Sequence, residues 1–399
     1  MVQMEGFGGA RIYFSPCGIG LGHASRSVPI ANELRRRGAE ILFSTYLEGF
    51  DYVEKQGFRV VAVPPISMSN DSSGRIDLRM SSINQGVKAF PTFMRQVNAE
   101  IRYMKAFETD AVISDSRLSS IFAAKLLGLP TLLILNQFTP LIPMQKDMFM
   151  LSRVVDGVIM TLIGRGWGYA DKILIPDFPA PNTLSIDCLR IPSPYQDKVE
   201  LIGAILQKKP EEARKCTEVR AELGVAKDQK LIYAGISGPY AERMPLLKLL
   251  TPIFESFPNE YQVVMSLGNP TGNSRPVRRG SLIEVGWVKD RFDLLNACDL
   301  VVSRGGHETM MQSICYGKRS IIIPVPNHPE QYGNARRAQE YGVAYAIHQR
   351  SIDRDGILLL ADEMLGDDSF QERLSELNPE HMGDGLGKSI EALANIMHL

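Results

Sequence analysis

Two doubly wound α/β domains are what this sequence predicts, on three observations. Its 399 residues exceed what one hydrophobic core of ordinary size organises. Short apolar runs alternate with helix-period segments along the chain, which is the pattern of parallel sheets covered by helices. Two of those runs, one in each half, lead through a glycine-rich turn directly into a helix.

The first half opens with a strand at Arg11–Ser15, a turn, and a helix that Gly38 stops. Strands follow at Glu40–Ser44 and Phe58–Val63, then a polar stretch from Pro64 to Gln85 long enough to suggest a functional loop. Val87, Phe90, Met94, Val97, Ile101 and Met104 recur at three- and four-residue steps and predict a long helix lying on the sheet. Ala111–Ser114 and Thr131–Leu135 read as buried strands around a helix at Leu118–Leu127, and Glu200–Leu206 as the last strand of this half. The charged segment from Lys208 to Gln229 marks the boundary, giving domains at 1–207 and 208–387, with the helix at 388–399 expected to cross back. The second domain begins at the strand Lys230–Ala234. The two are expected to face each other across a cleft, with ligands at the carboxyl ends of the strands.

Hydrophobic residues make up 44% and charged residues 22% of the chain, and the formal net charge is −1. No global field then draws it to nucleic acid. Five scattered cysteines without CxxC spacing argue against a zinc site and fit a reducing cytoplasm. No signal peptide and no membrane-spanning run are expected.

Gly18-Ile19-Gly20-Leu21-Gly22-His23 joins the first strand to the first helix. Glycines there allow a tight turn and a close ligand approach, and a helix N-terminus favours negative charge. The acidic residue of a dinucleotide fingerprint is missing, since Ser44-Thr45 stands in its place, and no GxxxxGK[ST] occurs. His23 can accept a proton from a hydroxyl near neutral pH. Asp115, just past the strand Ala111–Ser114, is the candidate carboxylate to orient it. The plain structural alternatives are helix caps for both.

In the second half the strand Leu300–Ser303 runs into Arg304-Gly305-Gly306-His307-Glu308-Thr309. Paired glycines at a helix N-terminus, with an arginine and a hydroxyl, suit a diphosphate. Downstream, Glu330, Gln331 and Asn334 start another helix, where a carboxylate and amides can grip vicinal sugar hydroxyls. Alternatives stay open: Trp287 as a core aromatic, Arg304 paired with Asp299, His307 on the surface of its turn, and Asp353-Arg354-Asp355 as a helix start instead of a metal motif.

These residues resemble the donor region of GT-B glycosyltransferases, including the peptidoglycan N-acetylglucosaminyl transferase and plant UDP-glycosyltransferases of the family 28-like group. The likeness runs through Ser303-Arg304-Gly305-Gly306, Thr309, Gln312, Gly317, Pro324 and Glu330-Gln331, with Gly286-Trp287-Val288 upstream and Gly235-Ile236-Ser237-Gly238 and the glycine turn of the first half. It implies two Rossmann-like domains, with a diphosphate on Ser237, Arg304, Gly306 and Thr309, and with Gly22, Gly238, Gly305 and His307 also lining the donor. A base would lie on Trp287 and Val288, ribose on Gln312, where the family has glutamate, and sugar on Glu330, Gln331 and Asn334. His23 would be the general base, oriented by Asp115. The implied reaction is inverting, metal-independent transfer of a hexose or N-acetylhexosamine from a UDP-sugar to a hydroxyl. No cofactor is implied beyond that co-substrate. A lipid-linked acceptor is among the candidates, since Phe138–Trp167 is strongly apolar with interleaved Lys146, Arg153 and Arg165, which would place the protein peripherally at the inner face of the membrane. A UDP-sugar hydrolase or epimerase of the same fold, and a non-catalytic donor-binding subunit, are the rival readings.

Overall fold

Short runs rich in Val, Ile, Leu and Phe form strands buried on both faces, as parallel sheets between helices require. A computed structural model describes residues 6–65, 84–136, 164–189, 191–269, 272, 275–377 and 384–399. These fall into two compact units: described residues up to Gln207 together with Asp384–Leu399, and those from Lys208 to Leu377.

The sheet of the first unit comprises β1 (Arg11–Pro16), β2 (Glu40–Thr45), β3 (Val60–Ala62), β4 (Ala111–Asp115), β5 (Thr131–Ile134), β6 (Lys172–Ile175) and β7 (Val199–Leu201). Their order is β3-β2-β1-β4-β5-β6-β7, and every pairing is parallel. The connections reverse direction between β1 and β4, so the turns leaving these two strands lie side by side at a topological switch point. The register puts Pro16 opposite Asp115. The seventh strand is shorter than the apolar run Glu200–Leu206 suggests, because Gly203, at φ +81°, bends the chain out of extended conformation.

Four principal helices follow these strands: α1 (Gly22–Arg36), α2 (Leu47–Lys55), α3 (Asn84–Phe107) and α4 (Leu118–Leu127). Among its described side chains, the apolar stripe of α3 is buried in the second half of the helix. Val97 and Met104 pack with Tyr13, Leu42 and Val112, whereas Phe90 and Met94 are exposed. A buried ion pair between Glu100 and Arg117 pins α3 to the sheet. The Tyr13 hydroxyl donates to Glu100 at 2.5 Å, Ser44 donates to it at 2.9 Å, and Arg117 donates to the Ser44 carbonyl at 2.7 Å. Each charge is thus neutralised and hydrogen-bonded, the condition under which a buried pair is tolerated. Residues 66–83 and 137–163, which hold most of the polar stretch and of the apolar segment noted in the sequence, lie outside the described residues. Trp167 is a core residue beside Ile121, Leu133 and Ile173.

The C-terminal helix, Gly385–Met397, belongs to the first unit, where it packs on α1, β5 and β6. Gly385 donates to the Ala204 carbonyl at 3.2 Å, and a Cβ there would lie 2.6 Å from that oxygen. Only glycine fits so close an approach.

The second unit repeats the plan with β8 (Lys230–Gly235), β9 (Tyr261–Ser266), β10 (Val277–Arg279), β11 (Leu282–Val285), β12 (Leu300–Ser303), β13 (Ser320–Ile322) and β14 (Ala344–Ala346). The order is β10-β11-β9-β8-β12-β13-β14, with only β10 antiparallel. Here the connections reverse between β8 and β12. Its helices include α5 (Tyr240–Glu255), α6 (Arg291–Ala297), α7 (His307–Cys315), α8 (Pro329–Glu340) and α9 (Arg354–Gly366). Asp353 caps α9, its carboxylate accepting from the Gly356 amide at 2.7 Å, so the Asp353-Arg354-Asp355 sequence is a helix start.

Candidate active site

In the first unit the switch point gathers the glycine turn after β1 and the carboxyl end of β4. Two glycines of the turn answer to backbone geometry: Gly20 has φ +68°, and a Cβ on Gly18 would stand 1.9 Å from the Tyr46 carbonyl oxygen. Gly22 has open space around it and begins α1, whose N-terminus receives no side-chain cap. His23 is therefore not a cap; it is half-buried in the first turn of α1, and its Nδ1 lies 2.7 Å from Asp115 Oδ1.

Asp115 is not a cap either, since α4 is preceded by Arg117. It is 1% exposed, and Ser116 beside it has φ +56°, a strained conformation for serine. Burial would raise the carboxyl's pKa, but the Arg26 guanidinium, with His23 and hydrogen bonds from both, outweighs burial and holds Asp115 below the usual carboxylate range. An ionised carboxylate has no proton to give, so His23 Nδ1 must be the donor in their contact. The lone pair of the neutral ring then resides on Nε2, for which the described residues provide no hydrogen-bond partner.

Arg26 escaped the sequence reading. Its guanidinium grips both Asp115 oxygens, Nε to Oδ2 at 2.6 Å and a terminal nitrogen to Oδ1 at 2.5 Å. Its position one turn past a histidine, within the run Ala24 to Ala31 that holds no other charged residue, was the available signal.

In the second unit the residues expected at the donor all follow carboxyl ends of parallel strands. Ser237 and Gly238 follow β8, Trp287 and Val288 follow β11, Arg304 to Thr309 follow β12, and Glu330, Gln331 and Asn334 follow β13. Gly306, at φ −68°, is the N-cap residue of α7 and offers no side-chain cap to its amides; α5, after Gly238 at φ +114°, begins likewise uncapped. Thr309 is half-buried in the first turn of α7, and Trp287 is half-buried too. Val288 packs against the core cluster around Leu231, Phe292 and Tyr316.

Several of these side chains are engaged with the protein itself. Arg304 is 4% exposed and donates to the Glu242 carbonyl at 2.6 Å, to Gln349 Oε1 at 2.8 Å and to the Ile323 carbonyl at 3.2 Å. Burial lowers its pKa to about 10, so it stays a cation, but one turned inward; Asp299 pairs with Arg220 instead. His307 is buried at 3% exposure, not at the surface. Asn334, 1% exposed, donates to the Gly305 carbonyl at 3.2 Å, and Gln331 accepts from the Val325 amide at 2.9 Å. A Cβ on Gly305 would sit 2.6 Å from the Gln331 carbonyl. Arg304, Gly305, Gln331 and Asn334 thus shape the turns. Gln312 is 2% exposed, accepts from Arg291 at 3.1 Å and donates to Glu308 at 2.7 Å. Gly306, with nothing within 4 Å of a built Cβ, is the open glycine of this turn. Glu330, 9% exposed, is the second residue of α8, next to Pro329.

Comparison with known proteins bears on the family and the fold. The C-terminal domain of glycosyltransferase family 28 matches residues 253–381, and glycosyl transferase family 1 matches residues 10–161. The chain is a family 28-like GT-B glycosyltransferase. An uncharacterized glycosyltransferase of Methanosarcina mazei is 27% identical to it over 370 residues, covering 90% of this chain and 91% of the relative. The UDP-N-acetylglucosamine–N-acetylmuramyl-(pentapeptide) pyrophosphoryl-undecaprenol N-acetylglucosamine transferase of Rubrobacter xylanophilus is 23% identical over 361 residues, covering 87% and 92%. Among solved structures, the kitacinnamycin glycosyltransferase matches with a TM-score of 0.65 at 16% identity, over 97% of this chain and 99% of the other. Among the described residues of this transferase, no helix is long and apolar enough to cross a membrane.

Proposed function

We propose that this glycosyltransferase moves a hexose or N-acetylhexosamine from a UDP-sugar to a hydroxyl acceptor with inversion and without a metal, His23 acting as general base. The observation that carries this reading is the 2.7 Å contact between His23 Nδ1 and Asp115, which leaves Nε2 as the proton acceptor. In the step, His23 Nε2 takes the acceptor hydroxyl's proton as that oxygen bonds to the anomeric carbon. The bond from that carbon to the diphosphate oxygen breaks, and UDP departs with the electron pair. The uncapped amides of α7 behind Gly306 and of α5 behind Gly238, with the Thr309 and Ser237 hydroxyls, are the donors we assign to the growing diphosphate charge. Such donors supply electrostatic stabilisation without a metal ion. Glu330 is assigned to the sugar hydroxyls and Trp287 to the base.

A lipid-linked acceptor, met at the inner face of the membrane, is proposed from the undecaprenol-linked substrate in the name of the Rubrobacter relative. His23→Ala tests the reading. Turnover should fall by a factor on the order of 100 or more, with donor affinity and melting temperature nearly unchanged. A stable variant that transfers sugar at the wild-type rate would remove the base assignment.

A further inference from the structure

We propose that Arg26 is a positioning residue for His23, fixing Asp115 in place and holding down the basicity of the imidazole by keeping a permanent cation beside it. This rests on the reading of His23 as the base. Arg26 lies one turn after His23 on α1 and is 2% exposed. One terminal nitrogen is at once 2.5 Å from Asp115 Oδ1 and 3.0 Å from His23 Nδ1, and it also approaches Asn136 Oδ1 at 3.4 Å. In an isolated histidine–carboxylate pair the anion favours the imidazolium. Here one buried carboxylate is shared between two cationic partners, and the arginine never releases its proton. With the ring neutral, the trio carries no net charge; protonating the ring puts a second cation against the first. Arg26 therefore opposes the imidazolium and keeps Nε2 able to accept a proton at lower pH than the pair alone would allow. Its two-pronged grip also fixes the plane of the Asp115 carboxylate, and through it the ring and the tautomer.

Other charges near the site point elsewhere. On α2, Asp51, Glu54 and Lys55 are exposed and Glu48 is half-buried. On the C-terminal helix, Lys388 approaches Glu200 and Glu391 is exposed. Beyond Asp115, Arg117 pairs with Glu100, and burial keeps the Cys17 thiol protonated.

The test is a titration of His23 by NMR in the full chain with its histidine rings isotopically labelled. Of the six histidine signals, the one lost in His23→Gln identifies the ring. Arg26→Gln should raise its titration midpoint by about one pH unit or more, and Arg26→Lys, which keeps the cation, should leave it close to wild type. An Arg26→Gln midpoint that is unchanged or lower overturns the proposal. Should that variant fail to fold by circular dichroism, Asp115→Asn decides. With Arg26 as the remaining charge beside the ring, the midpoint should drop below the free-histidine value of about 6.5, whereas a midpoint at or above it overturns the proposal. The base reading fails separately, if His23→Gln transfers sugar normally while the midpoints move as expected.

Discussion

Replacing Arg304 by alanine removes a buried cation that the second unit wraps in carbonyl oxygens, and the cost can be worked from its contacts. Arg304 reaches Glu242 O at 2.6 Å, Gln349 Oε1 at 2.8 Å and Ile323 O at 3.2 Å; the approach to Pro324 O at 3.5 Å adds little. Hydrogen bonds from a charged donor contribute about 1.5 kcal/mol each at the low end, so losing these costs roughly 4–5 kcal/mol. In a unit of this size each kcal/mol lowers the melting midpoint by about 2–4 °C, giving a fall of roughly 8–20 °C. Scanning calorimetry reads this directly. Titration with UDP below the new midpoint should show an affinity within about threefold of wild type, since the guanidinium faces inward. An unchanged midpoint combined with a tenfold or greater loss of UDP affinity would refute the argument and return Arg304 to the diphosphate.

Two further outcomes follow from neighbouring geometry. Gly305→Ala should lose about 1–3 kcal/mol in urea unfolding, because its Cβ would meet the Gln331 carbonyl at 2.6 Å; Gly306→Ala, with open space and φ −68°, should stay within about 0.5 kcal/mol yet bind UDP several-fold more weakly. Equal stabilities for the two variants would contradict the packing. Asp115 has a folded-state pKa below its unfolded value, so its stabilisation is full above about pH 3.9 and fades as pH falls through the lower folded value. Asp115→Asn should accordingly be less stable than wild type at pH 7, with the gap narrowing below about pH 4; a gap that widens in acid would contradict the shift.

Much of this was legible in the sequence because it depends on local pattern. Alternating strands and helices, and glycines placed between a strand and a helix, report the backbone directly, so both switch points could be anticipated. His23 and Asp115, 92 residues apart, could be paired because His23 opens the helix after the first strand and Asp115 stands at the carboxyl end of a later one, where ligands of such sheets are expected. What the sequence concealed is side-chain direction. Arg304 looks like a phosphate ligand by its position, yet it turns inward toward carbonyls contributed by Glu242 and Ile323. His307 looks like a surface residue of a turn, but the first turn of α7 buries it. Arg26 went unread because a lone arginine in a helix is ordinarily a solvated one. Exposed Phe90 and Met94 show the same limit from the apolar side: periodicity identifies a stripe on α3 but not where along the helix the sheet beneath it ends.

The return of Gly385–Met397 to the first unit makes residues 208–383 an insertion within that unit's chain. During synthesis the second unit is made while its host still lacks a helix, and Ile390 and Leu393, both buried, follow it out of the ribosome. A fragment ending at Gln207 would therefore expose the apolar surface that this helix covers. Exchanging the second unit for that of another transferase is then a cassette replacement with two splices, one at Lys208 and one just before Asp384. The second splice must preserve Gly385, whose missing side chain lets the returning helix seat against Ala204.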